Sequence, residues 1–513
     1  VDAVVEELAG RLAPDPSGPG VAIVAITRDH RSVAVRGTAS LEHGRPLTST
    51  TPMYAASLAK LVTAAAVHRC VAAGSLRLDD TLDRWFPTLA GADRIAISSL
   101  LQHRSGLPEY HALRLLAGHD VEDRLSADDV IGLVAGMHPW FEPGSRVSYN
   151  NTNFAVLAHL VADVTGRPWA EAAAALVLDP IGAVDGGVRA QPGSWFRGMA
   201  GCYTAGPGGT WRRATLGCAS VGDGGWWASP RDLASLAAAL LDGRIGGDDV
   251  ATPMQAGDAL PPGPASGLRS GCTTAGSGRG AWFGGLAEFV GAKAELRVYP
   301  AVGVAVGAIA NSHQVTLGGA LDELVEWMTG VRPEPTEPAP FEPGPAPDGW
   351  FLAAGGGAWQ VRVGADGTGT ANVGTVRFDL RRDGDGWAVP ARPSVRVGRV
   401  GDEVVVRDGA AELARLTPVD VRPARPDELA MVRGTYRCAS ARAVLVVEHD
   451  AATGGVTVGR TGLVPEAAQA IGVRGDGAVL LATAWGSMAV SADGSGAASL
   501  GRAETVPVER VRG

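Results

Sequence analysis

Ser57-Leu58-Ala59-Lys60 sets a hydroxyl and an amine one helical turn apart, where i and i+3 share a face. A serine is a weak nucleophile until a base takes its proton. A lysine amine can be that base when burial or neighbouring charge lowers its pKa. Composition sharpens the pairing. The chain has 45 lysines and arginines together, and only Lys60 and Lys293 are lysine. Where a positive charge alone suffices, this sequence uses arginine. Arginine does not give up its proton, so a retained lysine points to proton chemistry. Ser-x-x-Lys also recurs by chance, as a helix start with a solvated lysine. The apolar neighbours Leu58, Leu61 and Val62 count against solvation. A second set, Tyr149-Asn150-Asn151, adds a phenol that can pass a proton to a leaving group and an amide, Asn151, that can orient lysine and substrate.

Helices and strands must bring these residues together. Leu61, Ala64, Ala65, His68 and Val71 keep helical spacing over 57–73, and Gly74 stops the run. A second helix is expected over 151–165, ended by Thr165-Gly166-Arg167-Pro168. A third, over 230–242, is opened by Ser229 and Pro230. Strands are expected at 20–26 and 32–38, and again within 285–310, before a last helix at 316–329. The catalytic region therefore runs over 1–331. Residues 332–348 form a proline-rich, semi-rigid linker. Beyond it, valine-rich runs alternate with Asp-Gly and Gly-Asp turns, which predicts two small antiparallel β-barrels at 349–421 and 426–513. Both open on Pro-Asp, a hint of two related modules.

Three segments carry a resemblance. Met53 to Ala66 with Gly74 to Asp80, Ile97 to Pro108 with its His-x-Ser-Gly-Leu-Pro turn, and Phe141 to Phe154 around Tyr149 resemble the active-site segments of the serine β-lactamase and penicillin-binding-protein superfamily, class C-like. Gly225 to Leu233 resembles a further helix entry. The resemblance implies an α/β fold: an antiparallel sheet flanked by helices, a helical subdomain, and appended barrels like those of the D-aminopeptidase branch. It implies that Ser57 forms an acyl-enzyme, with proton transfer shared by Lys60 and Tyr149 and half of the oxyanion hole supplied by Ser57 N–H. The family's third motif, Lys-Thr-Gly or His-x-Gly, is replaced by Trp282-Phe283-Gly284-Gly285. Gly284 permits close approach and Gly285 N–H can complete the oxyanion hole. Trp282 stands where a side chain that holds a substrate carboxylate is usual. An uncharged acyl donor is expected: an ester, a small amide or a D-aminoacyl group. Esterase or D-aminopeptidase chemistry follows, with transfer of the acyl group to an amine, or peptide cyclisation, as the alternative. A silent sensor would not need the Ser57-Lys60-Tyr149 set. Trp195, Trp211, Trp226 and Trp227 are candidates for an aromatic acyl pocket, each with core packing as the plainer role.

Other chemistry finds no footing. The formal charge of −9 and pI of 5.6 argue against nucleic acid or an anionic membrane as partner. No apolar run reaches a membrane span, and the first residues read as an amphipathic helix, so a cytoplasmic protein is expected, with a secreted mature form left open. The five cysteines show no metal spacing. Reduced thiols are expected, with a disulfide among Cys202, Cys218 and Cys272 as the alternative. No Gly-x-Ser-x-Gly, His-Glu-x-x-His or P-loop occurs, so no metal and no cofactor is expected. The expected partners are a small-molecule or peptide acyl donor and, for transfer, an amine. His103 reads as a structural residue of its turn.

Overall fold

A computed structural model of the chain describes residues 1–513 except 117–124, 192, 207–208, 217–220, 256–266, 270–271, 276–277, 332–340, 343–346, 354–357, 374–375, 390–391, 409–410, 420, 423, 439–442, 450–455, 461–465, 475–477, 484–485, 492–494, 500–505 and 512–513. Most of the proline-rich linker therefore lies outside the described residues. Two units are resolved: Val1–Pro108, Val121–Pro261 and Ser266–Glu334 form the first, and Glu109–Asp120, Pro262–Ala265 and Pro335–Gly513 the second.

The first unit is built on a seven-stranded sheet. Its strands are β1 (Val21–Thr27), β2 (Arg31–Arg36), β3 (Gly267–Arg269), β4 (Cys272–Ala275), β5 (Trp282–Phe289), β6 (Ala292–Tyr299) and β7 (Val304–Ala310), in the spatial order β3-β4-β5-β6-β7-β1-β2. All neighbours pair antiparallel. Five helices concern the site: α1 (Asp2–Leu12), α2 (Ala59–Ala72), α3 (Asn151–Thr165), α4 (Pro230–Asp242) and α5 (Gly318–Thr329). Side chains alternate across a strand, so each face of the sheet has its own cover. Val21, Ile23 and Ala25 of β1 and Val304, Val306 and Ala308 of β7 pack with Val5 and Leu8 of α1 and Leu321 and Leu324 of α5. The opposite face receives α4, which lies against β1, β6 and β7.

Local chemistry fixes the helix starts. Ser229 and Asp232 close a reciprocal capping box on α4, with Pro230 at the first helical position. Asn150 caps α3 through its side chain, which accepts from Thr152 N–H at 2.8 Å, and Gly166 ends that helix in the left-handed region at φ 64°. Helix α2 is buried on every side from Ala59 to His68. Apolar residues all round a helix put it in a core, and Lys60 is carried into that core with them.

The second unit holds two β rings. Eight strands from Gly349–Ala353 to Ala411–Pro418 pair antiparallel in sequence, and the last returns to the first, which closes the barrel. Alternate residues such as Val404 and Val406 fill it, with Trp359, Trp387 and Leu416. A second ring runs from Gly434–Cys438 to Val506–Arg510 and closes where Glu466–Arg474 meets Val479–Thr483. Two details depart from the sequence reading. Val421–Arg422 extends this second ring by pairing with Val473 and Arg474, although 421 was expected to end the first barrel. Pro426–Met431 is a short helix, with Glu428 accepting from Arg425 N–H. The second Pro-Asp thus opens a helix, and the first precedes a strand.

Cys70, Cys202 and Cys272 are buried and none of the three is in a disulfide; Cys272 Sγ donates to Met254 O at 3.0 Å. Cys202 and Cys272 therefore do not join each other, and Cys218 lies outside the described residues. Burial pushes the Cys70 thiol up to about 11 and Cys202 up to about 12, which leaves both unreactive. No helix among the described residues is long and apolar enough to cross a membrane.

Candidate active site

Ser57 sits in a 3-10 turn, Ala56–Leu58, immediately before α2. The preceding Ala56 has φ 46°, an uncommon value for a residue with a side chain. The turn lets Ser57 stay partly exposed while Leu58 and Lys60 on either side of Ala59 are buried. Lys60 is only 5% exposed. Its Nζ donates to three acceptors: Ser57 Oγ at 3.0 Å, Asn151 Oδ1 at 2.9 Å and the Asp223 carbonyl at 2.8 Å. An ammonium has three N–H donors, and the neutral amine has two and a lone pair. Asn151 and the Asp223 carbonyl can hold two N–H bonds in either state, so on deprotonation the lone pair faces Ser57 Oγ. The rings of Tyr149 and Phe154 lie 5.0 and 5.6 Å from Nζ.

Tyr149 Oη lies 3.0 Å from Ser57 Oγ, on the side open to solvent, and the tyrosine is 46% exposed. The segment before it is pinned by the turn that follows α2 in the chain. His103 O accepts from Ser148 N–H at 2.8 Å, and His103 Nδ1 accepts from Asn150 N–H at 3.0 Å. Asn150 Nδ2 donates to Leu107 O, Thr152 Oγ1 donates to Pro108 O at 2.6 Å, and Ser105 Oγ donates to Asn153 Oδ1. His103, Ser105, Leu107 and Pro108 of the His-x-Ser-Gly-Leu-Pro segment thus all bond to residues 148–153. The His103 ring stacks on Tyr149, with centroids 4.6 Å apart and planes at 26°, and also meets Phe154 at 5.2 Å. Burial, with the nearby Lys60 charge, pushes His103 down to about 3. It is neutral, as its accepting Nδ1 requires.

Strand β5 supplies the other wall. A Cβ on Gly285 would stand 2.7 Å from Leu58 Cδ2, so the glycine lets β5 press on the Ser57 turn. A Cβ on Gly284 would meet Leu296 O at 1.9 Å, which excludes every other residue there. Gly285 faces the Ser57 turn, and alternation puts Phe283 on the same face and Trp282 on the other. Trp282 packs with the α1 and α5 core, and Arg297 Cζ lies 5.1 Å from its ring centroid. Arg297 is in turn bonded to Glu295 at 2.6 Å and to Asp322. The structure therefore gathers Ser57, Lys60, Tyr149 and Asn151, sets Gly284 and Gly285 beside the Ser57 turn, and places Trp282 with Arg297. Sequence reading missed Phe154 and the Asp223 carbonyl at Lys60, and Phe283 on β5. Phe154 and Phe283 both lie in motifs read from the sequence; the carbonyl leaves no signal in a residue type. Of the tryptophans, Trp226 and Trp227 are buried, whereas Trp195 is 68% and Trp211 40% exposed. Trp227 stacks obliquely on Tyr54 at 5.3 Å.

Among curated proteins, this chain is 36% identical over 191 residues to Esterase EstB of Burkholderia gladioli, a match covering 34% of this chain and 48% of the esterase. It is 34% identical over 170 residues to the D-aminopeptidase of Brucella anthropi, covering 32% of each. The matched stretch thus spans about half of one relative and about a third of the other. Among solved structures, SurE superposes with a TM-score of 0.59 at 23% identity, over 82% of this chain and 98% of SurE. The D-amino acid amidase of Ochrobactrum anthropi SV3, complexed with L-phenylalanine, superposes with a TM-score of 0.55 at 20% identity, over 64% of this chain and 99% of the amidase. These two likenesses carry the fold. The Beta-lactamase family profile matches residues 1–327, and the chain belongs to that family.

Proposed function

We propose that the chain is a serine acyl-enzyme hydrolase of esters and small amides, D-aminoacyl substrates included, whose acyl donors lack a free carboxylate at the scissile end. The observation that carries the reading is the buried Lys60 amine with Ser57 Oγ as one of three acceptors. In this reading Ser57 Oγ bonds to the acyl carbon as its proton passes to Lys60. Tyr149 Oη, 3.0 Å from Ser57 Oγ, relays that proton to the departing alkoxide or amine. The N–H groups of Ser57 and Gly285 hold the oxyanion. Water then takes the place of the leaving group and frees the acid, returning a proton to Ser57. Phe283, which shares the face of β5 that Gly285 turns toward the Ser57 turn, is uncharged, and this supports a donor without a carboxylate. The names of the relatives support the substrate class: an esterase, a D-aminopeptidase, and SurE, which has also been solved with D-Leu.

Amide formation is the second outcome the same acyl-enzyme allows. Tyr149 is half-exposed, so its hydroxyl can serve an incoming amine as well as water. One experiment addresses both. Aryl esters of acetate and of D-amino acids are incubated with the protein, and intact mass is followed. The wild type is expected to gain one acyl group on Ser57, and Ser57→Ala none; ester turnover by Ser57→Ala at the wild-type rate would sink the proposal. With saturating amine added, an amide that outruns the acid assigns transfer, and acid alone assigns hydrolysis.

A further inference from the structure

His103 was read from the sequence as a residue of its turn, yet its contacts converge on one side chain. Its carbonyl takes Ser148 N–H and its Nδ1 takes Asn150 N–H, so the two residues flanking Tyr149 are both tied to it. Between those two bonds its ring lies flat on the Tyr149 ring at 4.6 Å. Tyr149 needs such a hold. It is 46% exposed, and its hydroxyl must stay within 3.0 Å of Ser57 Oγ to relay a proton. His103 is itself 3% exposed and has φ 56°, a value seldom taken by a residue with a side chain. Asparagine and histidine enter that region more readily than bulky residues. From that backbone position its carbonyl, ring and Nδ1 all address residues 148–150.

We propose that His103 is a positioning residue for Tyr149, holding the phenol where it can protonate the leaving group. The inference rests on the acyl-enzyme reading given above. It makes a demand that a merely structural residue does not. An ethoxide leaving group needs a proton in the transition state, whereas p-nitrophenoxide leaves without one. Loss of the Tyr149 position should therefore hurt an ethyl ester far more than a p-nitrophenyl ester of the same acyl group.

The test is single-turnover acylation of Ser57 by this pair of esters in the full-length wild type, His103→Asn and His103→Phe. Asparagine tolerates the backbone and removes the ring; phenylalanine keeps a ring and removes the acceptor. His103→Asn is expected to slow acylation by the ethyl ester about a hundredfold and by the nitrophenyl ester only a few-fold, on the order of one general-acid contribution. His103→Phe is expected to recover part of the ethyl ester rate. An equal loss on both esters in the folded variants, or no loss on either, overturns the role given to His103 and leaves the acyl-enzyme intact. Absence of any Ser57 adduct in the wild type overturns both readings together.

Discussion

Lys60 and Arg297 are both buried basic side chains of the first unit, at 5% and 8% exposure, and their surroundings differ in kind. Lys60 donates to a hydroxyl, a side-chain amide and a backbone carbonyl, all neutral. Arg297 is bonded to the carboxylates of Glu295 and Asp322 and lies over the Trp282 ring. Burial works against the Arg297 charge, but the two carboxylates outweigh it and hold the guanidinium pKa above its ordinary value. A shell of neutral acceptors lets a proton leave without stranding an opposite charge. A shell of carboxylates does the reverse, because an uncompensated buried carboxylate is costly. On the function proposed above, the contrast separates a side chain that moves a proton from one that holds strands and helix together. It also fits a lysine at position 60 in a chain whose only other lysine is Lys293 and which otherwise uses arginine.

Exchanging lysine for arginine should break the Lys60 cluster most severely. Lys60→Arg keeps the charge and can keep hydrogen bonds to Asn151 and the Asp223 carbonyl, but it supplies no base. Ser57 acylation, followed by intact mass, is expected to fall by about a hundredfold or more. The thermal midpoint should move little. A variant that acylates at the wild-type rate would mean that the proton of Ser57 goes elsewhere.

The Arg297 cluster should fail in stability. Arg297→Met leaves Glu295 buried without its cation, and breaking such a pair costs about 3–5 kcal/mol. The thermal midpoint should drop, while the acylation rate of the folded protein stays within a few-fold of wild type. A rate loss on the scale of Lys60→Arg would show that the two clusters act together, and the contrast drawn between them would fall.

The two clusters were unequally legible in the sequence. Ser57, Lys60, Tyr149 and Asn151 announce themselves because their chemistry is in the side chain and their spacing matches helix and loop. The Asp223 carbonyl does not, since any residue type presents one. Trp282 shows a different limit. A motif position tells which residue lies near the glycines, but the strand's register decides which face it takes, and one residue of offset reverses the side chain. Gly285 meets Leu58, so Phe283 has the site-facing position and Trp282 goes to the core. The same scale governs the barrels. Repeated turns made two β modules readable, whereas a two-residue strand at Val421–Arg422 and a six-residue helix at Pro426–Met431 are too short to show a period.

Trp282→His sharpens the comparison with the smallest effect. Were Trp282 in the site, a histidine would restore a polar group beside the substrate, and penicillins or D-Ala peptides, which carry a free carboxylate, would acylate Ser57 faster. With Trp282 in the Arg297 cluster, the variant should show no such gain. It should instead lose the contact between ring and guanidinium and some core packing, about 1–2 kcal/mol in all. The thermal midpoint and the acylation rate with benzylpenicillin, measured on the same preparation, give the two readings. A faster penicillin adduct would return Trp282 to the site and leave Arg297 with its carboxylates alone. A lower midpoint with an unchanged rate supports the split between the two faces of β5.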